Sequence, residues 1–276
     1  MTQDWQNEET RRAKAAQIDT TVPNAARAAD YLYGGRDNFE ADRRAVRAMV
    51  ATAPVVGAIV AAAHAFHRRV VDYLVAQAGI RQFLNMGGSL GVSGSTHELA
   101  QAVDPGCRVV YVDSDPVMLS HTRALKSGPS GVTSFLDADI REPHMIVARA
   151  GETLDFGQPI AVMLLSTSPL SQIADTAAAA AVVSALIATT ASGSYVALHH
   201  QASDLDVALP SAIRRWNQVS RQPITLRSRA EIASLVTGLE PVPPGLVPIA
   251  DWRPYRTWAA VLIRVAGDRL ALPTAA

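Results

Sequence analysis

One cysteine, Cys107, is all that the 276 residues contain. It cannot form an intrachain disulfide or a thiolate metal cluster, and it fits a reducing, cytoplasmic compartment. Net charge is lacking too: 25 Lys and Arg balance 25 Asp and Glu. Without a global positive field, a nucleic-acid partner is disfavoured. The opening run MTQDWQNEETRRAK has no apolar core, so it reads as neither a secretory signal nor a membrane anchor. The most apolar stretch, Thr176 to Ala191, is mostly alanine and too short to span a bilayer, and a buried helix explains it better. There is no internal repeat and no low-complexity linker. What remains is a chain long enough to bury a large core without extra staples.

Residues 1 to about 19 read as an arm leading into helices at Asn24 to Tyr33, Asn38 to Ala51 and Pro54 to Ala78, with Gly34-Gly35 and Gly79 as stops. The organisation expected from this is an N-terminal arm and helical layer over 1–79 and a second unit over 80–276. From Arg81 short β-rich runs alternate with helical ones, the mark of βαβ units and a parallel sheet. Strands are expected at Gln82 to Asn85, Arg108 to Asp113, Thr133 to Leu136, Ile160 to Leu165 and Ser194 to His199. Helices are expected near Thr96 to Val103, Pro116 to Lys126, Leu170 to Thr190, Pro210 to Val219 and Arg229 to Thr237. Right-handed crossovers make this an α/β chain with a doubly wound sheet. Leu246 to Ile249 and Thr257 to Val265 would close it as an antiparallel pair.

Polar groups gather at three expected strand ends. FLNMGGSLGVSGSTHELAQ follows the first strand with glycines at 87, 88, 91 and 94, which let backbone turn sharply beside a ligand. The second strand, RVVYVDSDP, ends in Asp113, placed to accept from both hydroxyls of a ribose. Asp115 better suits the plain role of capping the helix at Pro116. The third, SFLDADIREP, places Asp139 where it could accept from an adenine amino group, with Asp137 and Glu142 readable as solvated surface. Such ends converge on one crevice in open α/β sheets.

With these residues in view, the chain resembles a family of S-adenosyl methyltransferases once catalogued as a domain of unknown function, within the class I superfamily. ARAADYLYGGRDNFEADR carries the most specific likeness. THELAQAV, VVYVDSDPVMLSHTRAL, DADIREP, SRAEIASLVTGLE and PGLVP extend it from about Asp19 to Val265. The resemblance implies a Rossmann-like, mostly parallel seven-stranded sheet with an N-terminal helical cap, and S-adenosylmethionine as cofactor. It implies cofactor contacts from Asn85, Met86, Gly87, Gly88, Asp113, Ser114, Asp139 and Ile140. Tyr33 to Phe39 would lie over the pocket, with Arg36, Asp37 and Asn38 at the methionine end; a plain turn in which Asp37 or Asn38 caps the next helix is the competing reading.

Two departures from the family pattern bear on activity. Asn85-Met86-Gly87-Gly88-Ser89 stands where the family usually has Asp-Ile-Gly-Thr-Gly, so a carboxylate partner for the cofactor's cationic end is replaced by a neutral amide. Ser166-Thr167-Ser168-Pro169 stands where a His and an aromatic residue are usual, and none of these hydroxyls is a base without an activating partner. His199 and His200 are candidate bases at the fifth strand end, or else a hydrogen-bonded structural pair, and being adjacent on a strand they would not share a metal. Trp252, Tyr255 and Trp258 could line an acceptor pocket but fit a core better. His64 and His67 share a helix face that neighbouring Arg68 and Arg69 mark as solvated. The leading expectation is methyl transfer from S-adenosylmethionine to a small molecule. The alternative is a catalytically degenerate relative acting as a binding or partner protein. A nicotinamide-dependent oxidoreductase fits the helical N-terminus and the closing pair poorly.

Overall fold

The computed structural model describes residues 19–87, 94–114, 133–165, 169–252 and 261–264. Seven strands form one sheet in the order β3-β2-β1-β4-β5-β7-β6. Strands β1 (Gln82–Met86), β2 (Arg108–Asp113), β3 (Thr133–Asp137), β4 (Ala161–Leu164) and β5 (Tyr195–Leu198) are parallel. The chain starts at β1 in the middle, winds outward to β3, then returns to β4 and β5 on the other side. The order therefore reverses between β1 and β4, which opens a crevice at the carboxyl ends of the central strands.

Parallel strands are buried on both faces, so they are almost continuously apolar. Alternation along each strand divides the side chains between two cores. Leu84, Met86, Val110, Val112, Val162 and Leu164 face one core, with Ile146 of α5 (Pro143–Ala150) and Val183 and Leu186 of α6 (Thr176–Ile187). Phe83, Val109, Ala161 and Met163 face the other, against Phe66, Val70 and Val71 of α3 (Val55–Asp72). The alanine-rich α6 is thus an internal helix, and among the described residues no single helix is long and apolar enough to cross a membrane.

The first two helices, α1 (Ala25–Leu32) and α2 (Glu40–Thr52), join α7 (Leu209–Val219) in a third core around Val46, Met49, Ile213 and Trp216. A buried ion pair fastens them: Arg27 Nε donates to Asp42 Oδ2 at 2.9 Å, with the side chains 4% and 0% exposed. Asp42 also accepts from the backbone N–H groups of Asn24 and Phe39, both at 2.8 Å. Arg27 Nη2 reaches the Val22 carbonyl at 2.6 Å.

Several expected elements move. The helix at Pro143–Ala150 was not anticipated, although Pro143 at its first turn and Ile146 and Ala150 on one face are its signals. The long helix expected from Leu170 starts instead at Thr176, because the Asp175 side chain caps the Ala178 N–H at 2.6 Å; a 3₁₀ turn, Pro169–Gln172, precedes it. The expected strand Leu246 to Ile249 is absent. The penultimate strand is β6 (Glu240–Pro241), antiparallel to β7 (Val261–Arg264), which is antiparallel to β5. Pro243, Pro244 and Pro248 explain the shift, because proline brings no N–H to a ladder. The expected helix Pro116 to Lys126 lies outside the described residues. Short α4 (Thr96–Val103) and α8 (Arg229–Ser234) complete the set.

Asp42→Ala would leave the Arg27 guanidinium buried without its carboxylate. The expected loss is about 3–5 kcal/mol, read from urea unfolding of the full chain. Arg27→Met combined with Asp42→Leu should recover most of it.

Candidate functional site

The crevice at the carboxyl ends of β1, β2 and β3 holds about 680 Å³ of space, the open solvent at its mouth included. Met86 and Gly87 form its floor, Asp113 and Ser114 one side, and Asp139, Ile140 and Arg141 the next. Pro169 and Gln172, after β4, form the opposite side. Gly87 is there for two reasons. Its φ of 81° is costly for any residue with a Cβ, and a Cβ would meet Pro169 Cγ at 3.2 Å. Its N–H donates to the Val112 carbonyl at 2.8 Å, which ties the turn after β1 to the end of β2.

The N-terminus of α1 completes the lining. Asn24, Ala25 and Ala26 face the crevice together with Gln222, whose Oε1 accepts from the Ala25 N–H at 3.1 Å. None of these was singled out from the sequence, because Asn24 reads there as an ordinary helix cap. It is that cap, accepting from Ala26 and Arg27 N–H, and it also brings the N-terminal layer to the crevice. Asp139 lines the wall with Oδ1 already accepting from the Arg141 N–H at 2.9 Å and lying 3.2 Å from Arg141 Nε.

Other expected contacts are placed elsewhere. Asn85 is buried but does not line the crevice. Its Nδ2 donates to the Gly87 carbonyl at 2.6 Å, and its Oδ1 accepts from Thr96 Oγ1 at 2.9 Å. Thr96 Oγ1 in turn lies 2.8 Å from His67 Nε2, so with its own proton given to Asn85 it accepts one from His67. His67 is therefore the Nε2–H tautomer; burial pushes its pKa down to about 4. This corrects the reading of that helix face as solvated.

Arg36 is exposed and Asn38 buried, and neither lines the crevice. The turn they share is organised around the buried Asp30 carboxylate, whose Oδ2 accepts from the Asp37 N–H and from Asn38 Nδ2, both at 2.8 Å. A Cβ at Gly35 would collide with that carboxylate. The cap expected from Asp37 or Asn38 is absent as well, since Phe39 precedes α2 and Asp42 closes the box. Gly88, Ser89, Ser166 to Ser168, Tyr255 and Trp258 lie outside the described residues. Trp252 is a core residue, fully buried.

His199 and His200 are buried beside a second, smaller cavity. Arg227, fully buried and not anticipated from a segment that reads as surface, donates Nη1 to His200 Nε2 at 2.6 Å. Since guanidinium only donates, Nε2 is the acceptor, and His200 Nδ1–H points to the Gln201 carbonyl at 3.0 Å. Both ring nitrogens are spent, and burial pushes the pKa of His200 down to about 4. His200 is corrected from candidate base to locked neutral imidazole.

At the other end of the glycine loop, Glu98 of α4 accepts from the N–H groups of Gly94 and Ser95 at 2.7 and 3.0 Å. Burial opposes its ionisation, but these N–H bonds outweigh it and hold its pKa below the usual carboxylate value. The N–H groups of the two residues leading into that helix are thus already given to a carboxylate.

A central parallel sheet with this strand order, closed by an antiparallel pair and carrying a crevice at its switch point, defines a methyltransferase-like α/β protein. Residues 11–266 match the family model described as S-adenosyl methyltransferase, and the chain belongs to that family. The family's cofactor is S-adenosylmethionine. A crystal structure of a DUF574 family protein from Streptomyces avermitilis is 31% identical, covers 90% of this chain and 99% of its own, and superposes with a TM-score of 0.84. A putative methyltransferase from Thermobifida fusca is 32% identical, covers 90% and 97%, and has a TM-score of 0.83. No curated protein matches the chain.

Asn85→Asp would replace the donor to the Gly87 carbonyl by a second acceptor. We expect it to cost about 1–3 kcal/mol in denaturant melts, despite restoring the acid usual in the family. The buried histidines set a pH dependence. An unfolded imidazole titrates near 6.5 and folded His200 near 4, so between those values the unfolded chain binds more protons. The stability His200 contributes is therefore complete above pH 6.5 and is lost as pH falls toward 4, by up to about 3 kcal/mol. Melting curves across this window should show the decline, and His200→Gln should flatten it to the share left by His67.

Proposed function

We propose that the protein transfers the methyl group of S-adenosylmethionine to a small-molecule acceptor, with the adenosyl part in the crevice floored by Gly87. The observation that carries this reading is the convergence of Asp113, Asp139 and Ile140 with the close-approach glycine at 87 around one opening. In this arrangement Asp113 accepts from the ribose hydroxyls, Ile140 covers an adenine face, and Asp139 accepts at the adenine edge. Met86 and Ser114 border the sugar, and Asn24 and Gln172 present polar groups toward the methionine end. Asn85 acts indirectly, by fixing the Gly87 carbonyl through its amide, and Arg36 and Asn38 shape the turn before α2. The N-terminal helices act as a cap through the end of α1.

When bound, the cofactor supplies a sulfonium-linked methyl group. The chain's part is to hold donor and acceptor in line and exclude water, which alone can account for a large share of the rate. A general base is needed only if the acceptor must lose a proton, so the neutral His200 does not oppose the reading.

Calorimetric titration with S-adenosylhomocysteine, S-adenosylmethionine and NAD tests this directly. Both adenosyl sulfur compounds should bind and NAD should not. Asp113→Ala should weaken S-adenosylhomocysteine at least tenfold with the melting profile otherwise native, and Gly87→Val should weaken it as much while also lowering the melting temperature, since its Cβ strains the turn. Binding of NAD alone, or indifference to both substitutions, would overturn the assignment.

A further inference from the structure

We infer that the second cavity, at the carboxyl end of β5, is the acceptor site, and that it takes a largely apolar, non-anionic molecule presenting one O–H or N–H donor to Gln201. This rests on the methyltransferase reading above and specifies its missing half. The cavity measures about 480 Å³ with its mouth. Val55 and Ile59 from the start of α3, Leu205 and Leu209 around the start of α7, and Ile249 supply its walls. Leu205 is 45% exposed at its rim, and Val207 beyond it is 99% exposed.

Polarity inside the cavity is sparse and directional. Gln201 Oε1 is buried and accepts no hydrogen bond among the described residues. A buried acceptor left unmet costs about 1–3 kcal/mol, and a ligand donor would recover it. The other polar groups there, His199, His200 and Asp206, bring no fixed cation to the cavity. His200 is neutral and bonded at both nitrogens. The Asp206 Oδ1 is taken by the N–H groups of Ala208 and Leu209, both at 2.8 Å. No lysine or arginine lines the cavity among the described residues. An anionic acceptor would therefore enter without a counter-charge, whereas a phenol-like or N–H heteroaromatic molecule matches both walls and floor.

The cavity is mechanically joined to the crevice. Arg227 bonds His200 on one side and the carbonyls of Leu170 and Ile173 on the other. Those two residues flank Gln172, which lines the crevice, so the spacing between the two sites is set by one buried side chain.

The test uses 2-naphthol, 2-methoxynaphthalene, which has the same ring system without the donor, and naphthalene-2-sulfonate, which is charged. Each is titrated into the full chain by NMR with methyl groups of Ile59, Leu205 and Leu209 observed, alongside separate titration of S-adenosylhomocysteine. We expect 2-naphthol to bind at least tenfold more tightly than the ether and the sulfonate, with shifts at those methyls. Gln201→Leu should abolish the preference over the ether while leaving S-adenosylhomocysteine binding unchanged. Equal affinity for naphthol and ether in the unsubstituted chain, no binding of either, or shifts at Met86 in place of Ile59 and Leu209 would overturn the proposal without needing any variant. If naphthol behaves as expected but S-adenosylhomocysteine does not bind, the cavity stands as a ligand site and the methyltransferase reading fails; the reverse outcome sinks the acceptor site alone.

Discussion

The carboxyl edge of this sheet depends on a guanidinium buried with no carboxylate of the described residues at hydrogen-bonding distance. Arg227 Nε donates to Thr176 Oγ1, Nη1 to the Leu170 carbonyl and His200 Nε2, and Nη2 to the Ile173 carbonyl. A buried cation is tolerated when its donors are met, and here they are met by the segment after β4, the start of α6 and the segment after β5. Each of these must stay where it is for the charge to stay satisfied. The same segments carry Pro169 and Gln172 into the crevice and Gln201 into the second cavity. One electrostatic requirement thus fixes the walls of both.

This also explains why a histidine at the end of β5 is neutral. A cation hydrogen-bonded to Nε2 leaves no lone pair there for a proton, and burial disfavours a second charge beside the first. Geometry and burial act in the same direction, so the imidazole is a linker between Arg227 and the Gln201 carbonyl.

Much of the fold was legible because its signals are local. The short, nearly continuous apolar runs at β1, β2 and β4 and the helical stretch that becomes α4 each sit within a few residues. The same holds for Asp113, which follows directly from its place at the end of an apolar strand. What could not be read depends on distant partners. Nothing near Arg227 in sequence announces that it is buried, since its acceptors come from 170 to 200. Asn85 looked like a weakened cofactor ligand because its local neighbours are those of a cofactor turn, but its hydrogen-bond partners, Thr96 and the Gly87 carbonyl, turn it inward. Asn38 was drawn to the cofactor by family likeness, while Asp30, eight residues earlier, claims its amide. The strand before the last was misplaced because an apolar run at 246–249 outweighed the prolines around it, whereas the last lies within its expected range.

The change from acid to amide at 85 has a physical consequence that local reading reverses. In a chain with a carboxylate there, the Gly87 carbonyl would face another acceptor and would need a donor from elsewhere. Here the amide donates to that carbonyl and receives from Thr96, and the hydroxyl receives from a neutral His67, so every proton in the series has one place to go. The series runs from α3 through α4 to the turn that floors the crevice. It exchanges a charge beside the crevice for hydrogen bonds that hold the backbone at its floor. The departure at 85 is therefore a different way of holding the same turn, and it gives no ground for treating the crevice as vestigial.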